Sequence, residues 1–195
     1  MAKLHFKYGA MNCGKTDTLI KTAYNYMEQG LNVVVIKPSV DVKGGTNLLS
    51  RSGVRREVDI LATPTMDIAK ELRARNKQKK LNCVLIDEAQ FLSSEQIDQL
   101  FDIAKNENVS VIAHGLRADF RSELFPGSKR LFEIADNIEK LPTMCSCGSQ
   151  AEFNCRQVDG KFVFEGSQVA IDGEGEVTYA PLCGVCYEKA KVGKL

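Results

Sequence analysis

Residues 9–16 read Gly-Ala-Met-Asn-Cys-Gly-Lys-Thr, which fits the pattern of a glycine, four residues and then Gly-Lys-Thr. An apolar run at residues 4–8 precedes this segment, and a helical pattern begins near Thr16. This order of strand, glycine loop and helix is the context that a phosphate-binding P-loop requires. Backbone N–H groups and the positive end of the helix bind phosphate oxygens. Lys15 can reach the terminal phosphates and the Thr16 hydroxyl can ligate Mg²⁺, so the chain is expected to hold a nucleotide.

Length and charge narrow the class of protein further. The 195 residues suffice for one domain of ordinary size, or for one domain with a small appendage. The net charge of +1 gives no global electrostatic case for binding nucleic acid or an acidic membrane. No apolar run approaches the length of a membrane span, and the first residues lack a signal-peptide core. We therefore expect a cytoplasmic protein with no nucleic-acid or membrane partner.

Strand patterns alternate with helix patterns up to about residue 141. This alternation predicts an α/β fold of the P-loop NTPase type, with a mostly parallel sheet flanked by helices. Thr63 and Pro64 predict a helix start, as N-cap and first helical residue, and Ser93 with Gln96 predicts a capping box. The predicted strands are residues 3–8, 32–36, 83–86, 109–114 and 137–141, and the predicted helices cover 16–29, 64–78, the segment after Ser93, and 129–135.

Residues 39–62 are rich in turn residues and basic side chains, which predicts a long surface loop. The loop fits a plain surface excursion and also a basic flap near the phosphates, because long loops in compact domains are often functional. Beyond residue 142 the chain changes to glycines, cysteines and short alternating stretches, which indicates a small β-rich unit. We therefore predict a P-loop domain at residues 1–141 and a second domain at residues 142–195.

The strand at residues 83–86 ends in two acids, Asp87 and Glu88. Asp87 can hold Mg²⁺ beside Thr16. Glu88 can either activate water, as in an ATPase, or accept a proton from a substrate hydroxyl, as in a kinase. Both readings remain open from the pattern alone. One alternative function is therefore a P-loop ATPase that uses a metal-binding unit to bind nucleic acid.

Five of the seven cysteines fall in the second domain, at positions 145, 147, 155, 183 and 186. In a reducing compartment such a cluster favours a metal site over disulfides. Cys183 and Cys186 form a C-x-x-C knuckle, which is a strong half-site for zinc.

Residues 87–91 read Asp-Glu-Ala-Gln-Phe, residues 115–120 read Gly-Leu-Arg-Ala-Asp-Phe, and a loop with Phe125 follows. With the P-loop and the cysteine knuckle, this order resembles the cellular-type (type II) thymidine kinase family over nearly the whole chain. Members of that family have a P-loop fold and a zinc-binding lasso domain. The resemblance implies ATP-dependent phosphorylation of thymidine at its 5′-hydroxyl, which gives thymidine monophosphate in deoxynucleoside salvage.

The resemblance also implies a role for each matching residue. Glu88 is the base for the 5′-hydroxyl, and Asp87 supports Mg²⁺ beside Thr16. Apart from the resemblance, phosphoryl transfer needs charge stabilisation, and positive groups could come from Lys15 and from a loop arginine such as Arg121. The phosphates of ATP are bound by Gly9, Ala10, Met11, Asn12, Cys13, Gly14, Lys15 and Thr16. The nucleoside pocket is lined by Met11, Phe91, Leu116, Phe120, Phe125 and the lasso residue Tyr179.

The lasso departs from the family pattern at two places. Residues 171–179 carry separated glycines where a glycine pair is common, so the backbone there is expected to differ in detail. The second half of the zinc site is shorter by one residue, as Cys145-Ser146-Cys147. By their position in the sequence, Cys145 and Cys147 are the expected zinc ligands of this half-site, and Cys155 is the alternative for one of them. A closed site of four cysteines has a structural role, pinning the ends of the lasso.

Two further expectations come from the resemblance, and one comes from the chemistry of the acceptor. The protein is expected to form a homotetramer and to be inhibited by thymidine triphosphate. Deoxyuridine remains a second candidate acceptor, because the single methyl group that distinguishes it contributes only on the order of 1 kcal/mol in an apolar pocket.

Overall fold

The computed structural model describes residues 1–168 and 176–195. Its main feature is a six-stranded sheet in which every neighbouring pair is parallel, as the alternating pattern predicts. The order across the sheet is β5-β2-β6-β7-β1-β8. These strands are β1 Leu4–Tyr8, β2 Val33–Pro38, β5 Ile60–Ala62, β6 Cys83–Ile86, β7 Ser110–Gly115 and β8 Asn137–Lys140, and β3 Asn47–Leu49 and β4 Arg55–Glu57 lie outside the sheet.

Helices cover both faces of this sheet, which is why its central strands are continuous apolar runs. Val34 and Ile36 of β2 pack into the core cluster on one face, and Val33 and Val35 pack into the cluster on the other. Helix α1 (Lys15–Glu28) covers the second face through Leu19 and Ala23. Helices α2 (Ile68–Gln78), α3 (Ser94–Asn106) and α4 (Pro126–Ile134) cover the first face.

Two helix starts were predicted from capping residues, and one of them is correct. The Ser93–Gln96 capping box is present at the start of α3. The start of α2 at Pro64 is wrong, because the helix begins at Ile68 with Asp67 as its N-cap. The Met66 N–H donates to the Thr63 carbonyl at 3.1 Å, so this segment forms a turn instead of the first helical turn.

The predicted long loop at residues 39–62 contains three short strands, so the prediction of a continuous loop is wrong. Strands β3 and β4 pair as an antiparallel hairpin, and β5 joins the edge of the main sheet beside β2. Leu48 anchors the hairpin because it is buried in the cluster beneath α1. Each of these strands has only three residues, too few for a periodic signal in the sequence.

A second sheet follows the first along the chain. Strands β9 (Phe153–Val158), β10 (Lys161–Val163) and β11 (Val177–Leu182) form it, antiparallel and in the order β10-β9-β11, and helix α5 (Gly184–Lys191) packs against it. The predicted boundary at residues 141–142 falls between β8 and β9 and stays a prediction. Of the stretch at residues 171–179, only the part from residue 176 lies within the described residues. Among the described helices, none is long and apolar enough to cross a membrane.

Candidate active site

A cleft of about 360 Å³ opens beside the ends of β1, β6 and β7, where parallel strands present their carboxyl ends. Its walls come from the P-loop, from the segment after β6, from the loop after β7, from the hairpin region and from the second sheet. The lining residues that the sequence predicted are Met11, Asn12, Gly14, Lys15, Thr16, Glu88, Phe91, Leu116, Phe120, Phe125 and Tyr179.

The P-loop folds tightly around the Lys15 side chain. Asn12 and Gly14 adopt left-handed backbone conformations, with φ of 68° and 74°. Lys15 is 7% exposed, and its ammonium group donates to the Ala10 carbonyl at 3.1 Å. A side chain at Gly9 would lie 2.5 Å from the Cys13 sulfur and 2.8 Å from the Leu141 carbonyl oxygen, so the close approach there requires glycine.

Asp87 lies directly beside Thr16. The Thr16 hydroxyl donates to one Asp87 carboxylate oxygen at 2.8 Å, and the other oxygen is buried with no hydrogen-bond partner among the described residues. Burial, followed by the nearby charge of Glu88, raises the pKa of Asp87 to about 7. A buried carboxylate oxygen without a donor is costly, and a cation at this position would offset that cost. Asp87 lines a small crevice next to the main cleft, together with Thr16 and Glu88.

Glu88 follows Asp87 with a left-handed backbone, at φ 49°, which is uncommon for a residue other than glycine. Gln90, a fully buried residue, donates from its amide to the Glu88 carboxylate. The Gln90 amide oxygen in turn accepts from the Leu116 backbone N–H at 3.0 Å. Gln90 thus orients Glu88 toward the cleft. The sequence analysis gave this residue no role, because nothing in the sequence two positions after Glu88 shows that the glutamine is buried.

The aromatic residues form the opposite part of the cleft. Phe91 and Phe125 meet edge to face, with ring centroids 5.6 Å apart. Phe120 is 1% exposed and Phe125 is 5% exposed, so both pack tightly while presenting an edge to the cleft. Flat apolar walls of this kind suit an aromatic ligand ring.

The hairpin region contributes one apolar and three charged residues that the sequence analysis did not assign to the site. Asp41, Lys43, Leu49 and Arg51 all line the cleft. Lys37, which is 1% exposed, holds the turn before the hairpin by an ion pair to Asp41 at 3.1 Å. Residues 39–62 were interpreted either as a plain surface excursion or as a basic flap near the phosphates. The structure favours the flap, which lies beside the P-loop. Arg121 does not line the cleft, because it pairs with Asp119 at 3.0 Å and with Glu123 at 2.8 Å.

Four cysteines come together in the second unit. The sulfur atoms of Cys145, Cys147, Cys183 and Cys186 all lie within 4.8 Å of one another. Four sulfurs about 2.3 Å from one zinc ion would be separated by about 3.8 Å, so the cluster fits the ion. Hydrogen bonds from the side chain and backbone of Ser149, followed by those from neighbouring cysteines, lower the pKa of Cys147 to about 6, which favours a thiolate ligand. The structure therefore favours Cys147 over Cys155, which is buried outside the cluster.

Comparisons with known proteins agree with this arrangement. A family model described as thymidine kinase matches residues 2–187. The thymidine kinase of Enterobacteria phage T4 is 43% identical over 185 residues, covering 94% of this chain and 94% of that protein. The thymidine kinase of Haemophilus influenzae is 40% identical over 197 residues, covering 100% of each chain. That of Ruegeria pomeroyi is 41% identical over 185 residues, covering 94% of this chain and 92% of that protein. Since the family model and these relatives each match nearly the whole of this chain, the chain belongs to the thymidine kinase family.

Proposed function

We propose that the protein transfers the γ-phosphoryl group of ATP to the 5′-hydroxyl of thymidine, giving ADP and thymidine monophosphate. The observation that carries this proposal is that Lys15, Glu88 and Phe120 all line one cleft. A phosphate-binding loop, a carboxylate and an aromatic wall are the three parts that such a transfer needs.

The P-loop residues 9–16 bind the phosphates of ATP in this proposal. Their N–H groups and the start of α1 stabilise negative charge on the phosphate oxygens, and Lys15 adds a buried positive charge. Thr16 and Asp87 would hold Mg²⁺, because the unpartnered Asp87 oxygen and the adjacent hydroxyl provide oxygen ligands. Mg²⁺, when bound, neutralises charge that develops on the phosphates.

The acceptor occupies the aromatic half of the cleft. The base of thymidine stacks among Phe91, Phe120 and Phe125, while Met11, Leu116 and Tyr179 complete the wall. This pose directs the 5′-hydroxyl toward Glu88, which accepts its proton as the oxygen attacks the γ-phosphorus. Gln90 keeps the Glu88 carboxylate in place for that step. Deoxyuridine fits the same wall, and one methyl group separates it from thymidine.

The zinc site has a structural role in this proposal. Cys145, Cys147, Cys183 and Cys186 would hold the ion, and four thiolate ligands would leave it no part in the transfer. These cysteines lie before β9 and at the start of α5, so bound zinc would stabilise both ends of the sheet that carries Tyr179. The domain division at residue 141 belongs to the same proposal.

We infer a homotetramer in the cytoplasm with feedback inhibition by thymidine triphosphate, in line with the family resemblance. The cleft supports the inhibitor, because one molecule that carries both a nucleoside and phosphates can span its aromatic and P-loop halves. Gel filtration with light scattering tests the tetramer, and inhibition of turnover by thymidine triphosphate tests the feedback. A monomer, or turnover insensitive to the triphosphate, contradicts the respective proposal.

The decisive experiment incubates zinc-loaded protein with ATP, Mg²⁺ and thymidine and measures thymidine monophosphate. We expect turnover with thymidine and none without Mg²⁺. The alternative function, an ATPase that binds nucleic acid, instead predicts ATP hydrolysis that DNA or RNA stimulates and that needs no nucleoside. Lys43 and Arg51 line the cleft, which favours the kinase because these basic residues face its interior.

A further inference from the structure

Arg156 is a buried arginine at the centre of the second sheet. It lies on the middle strand β9, directly across from Tyr179 of β11 and Val163 of β10. Only 2% of its surface is exposed, and it heads the largest fully buried side chains of the described residues. An arginine within an alternating strand normally extends into solvent, so its burial calls for an explanation.

The contacts of this guanidinium in the described part of the chain are with neutral groups. Its Nε donates to the Tyr179 hydroxyl at 3.0 Å. Its two terminal nitrogens donate to the backbone carbonyls of Ser167 at 2.9 Å and Gln168 at 3.1 Å. Its central carbon lies 3.9 Å from the centroid of the Phe120 ring, a close cation–π contact.

Burying a cation whose described partners are neutral costs free energy, because the charge is removed from water. Leucine or methionine would fill a similar volume without this cost. The guanidinium, however, is a planar fork with five donors, and it can hold several acceptors in one fixed geometry. Its chemistry therefore suits the alignment of neighbouring groups better than the filling of a core.

Three of the groups that Arg156 contacts are walls of the cleft. Phe120, Gln168 and Tyr179 line it, whereas Arg156 is not among its lining residues in the described chain. These walls come from separate parts of the protein, since Phe120 lies in the loop after β7 and Tyr179 lies on β11. Within residues 1–168 and 176–195, no strand pairing joins those two segments and fixes their spacing.

We propose that Arg156 is a positioning residue for the acceptor nucleoside. Its fork holds the Tyr179 hydroxyl and the backbone at residues 167–168, while its face supports the Phe120 ring. The position of the second sheet relative to the Phe120 loop thereby sets the width of the nucleoside half of the cleft. None of the contacts of Arg156 in the described residues is with the P-loop, so we expect its loss to affect thymidine binding more than ATP binding.

The test compares steady-state kinetics of the full-length, zinc-loaded protein with those of Arg156→Met and Arg156→Lys. For Arg156→Met we expect the KM for thymidine to rise at least tenfold and the KM for ATP to change less than threefold. Arg156→Lys keeps a charge near Phe120 but lacks the planar fork, so its KM for thymidine should rise at least fivefold. Arg117→Met is the control, since Arg117 also lies over an aromatic ring, that of Phe153 at 5.7 Å, but does not line the cleft.

A purely structural role gives a different result. It reduces the folded fraction and hence the apparent kcat, while the remaining folded molecules keep the thymidine KM of the unaltered protein. An unchanged thymidine KM in Arg156→Met, an equal rise in the KM for ATP, or restoration by Arg156→Lys would each overturn the proposal.

A double-mutant cycle decides the question if Arg156→Met does not fold. Tyr179→Phe removes the hydroxyl that Arg156 contacts. In the Arg156→Lys background that contact is already lost, so Tyr179→Phe should change the thymidine KM at most twofold there. Fully multiplicative effects of the two changes would contradict a shared role.

The proposal rests on the proposed function and falls with it if the unaltered protein does not phosphorylate thymidine. An active unaltered protein whose variants keep the thymidine KM overturns the role of Arg156 alone.

Discussion

The Met11 backbone N–H donates a hydrogen bond to the Asn154 side-chain oxygen at 2.8 Å, across 143 positions of sequence. The Asn154 amide also donates to the Ala118 carbonyl at 3.2 Å. One buried side chain of β9 therefore joins the P-loop to the loop that carries Phe120. This contact couples the phosphate half of the cleft to the second sheet.

Asn154→Ala should destabilise the protein by about 1–3 kcal/mol, because it leaves a partly buried N–H and a carbonyl without partners. The thymidine KM should rise as well, since both groups belong to walls of the cleft. Urea unfolding and steady-state kinetics measure the two effects. Asn137→Ala is the control, because Asn137 is exposed and its side chain contacts only the His5 ring among the described residues. An unfolding free energy equal to that of the unaltered protein would contradict this expectation.

Glu88→Gln should lower kcat by about 10²- to 10⁴-fold, the usual contribution of a general base. ATP affinity should stay nearly constant, because the P-loop contacts are untouched. Product formation and nucleotide titration provide the measurements. Glu123→Gln serves as the control, since Glu123 lies in the nearby loop and its side chain is 64% exposed. Full activity of Glu88→Gln would exclude Glu88 as the base.

Asp87→Asn should make the magnesium-free protein more stable while abolishing turnover. The pKa of Asp87 is raised from 3.8 to about 7, so the folded chain holds a proton that the unfolded chain releases. Protonated Asp87 therefore stabilises the folded state. This stabilisation is complete below about pH 4 and is lost as the pH rises through about 7.

The advantage of Asp87→Asn should therefore grow between pH 5 and pH 8, to on the order of 2–4 kcal/mol. Thermal unfolding at the two pH values, without magnesium, provides the comparison. Magnesium with ATP should stabilise the unaltered protein more than the variant. A pH-independent difference between the two would show that Asp87 is ionised throughout this range.

Gly127→Ala should destabilise the fold by about 1–3 kcal/mol through overpacking. A side chain at Gly127 would lie 2.5 Å from the Ala89 carbonyl oxygen and 2.7 Å from that of Leu92. Thermal unfolding measures the loss. Gly184→Ala is a matched control near the start of another helix, where the nearest atom would be 3.7 Å away. Equal stability of the two variants would contradict the close packing of α4 on the segment after Glu88.

Removal of zinc should lower the thermal midpoint and raise the thymidine KM. Cys147→Ser should reduce bound zinc below one ion per chain, whereas Cys155→Ala should retain a full ion. Metal analysis of purified protein measures the content, and a chelator titration followed by unfolding measures the link to stability. Loss of zinc from Cys155→Ala with retention in Cys147→Ser would reverse the ligand assignment.

The parts of this molecule that the sequence predicts are those that depend on local patterns. A P-loop is a contiguous segment, and the acids Asp87 and Glu88 stand directly after a buried strand. The order of strands and helices follows from their hydrophobic periods alone. The helix after Ser93 likewise begins where its capping residues indicate.

The features that the sequence does not predict depend on contacts between distant segments. The hairpin at residues 47–57 is held by Leu48 beneath α1, and no pattern within the hairpin reveals that contact. Arg156 and Gln90 look like ordinary polar residues until the fold buries them. The start of α2 depends on Gln96, whose amide donates to the carbonyls of Thr63 at 2.9 Å and Met66 at 3.1 Å.

The position of β1 inside the main sheet has a consequence for how the protein is made. Residues 4–8 are synthesised well before their partners, because they pair with β7 at residues 110–115 and with β8 at residues 137–140. Contacts of such long sequence separation form slowly, and an unpaired apolar strand invites aggregation in the meantime. We expect the nascent P-loop to remain unstructured until more than a hundred further residues have emerged, so early chain release or truncation before β7 should yield insoluble product.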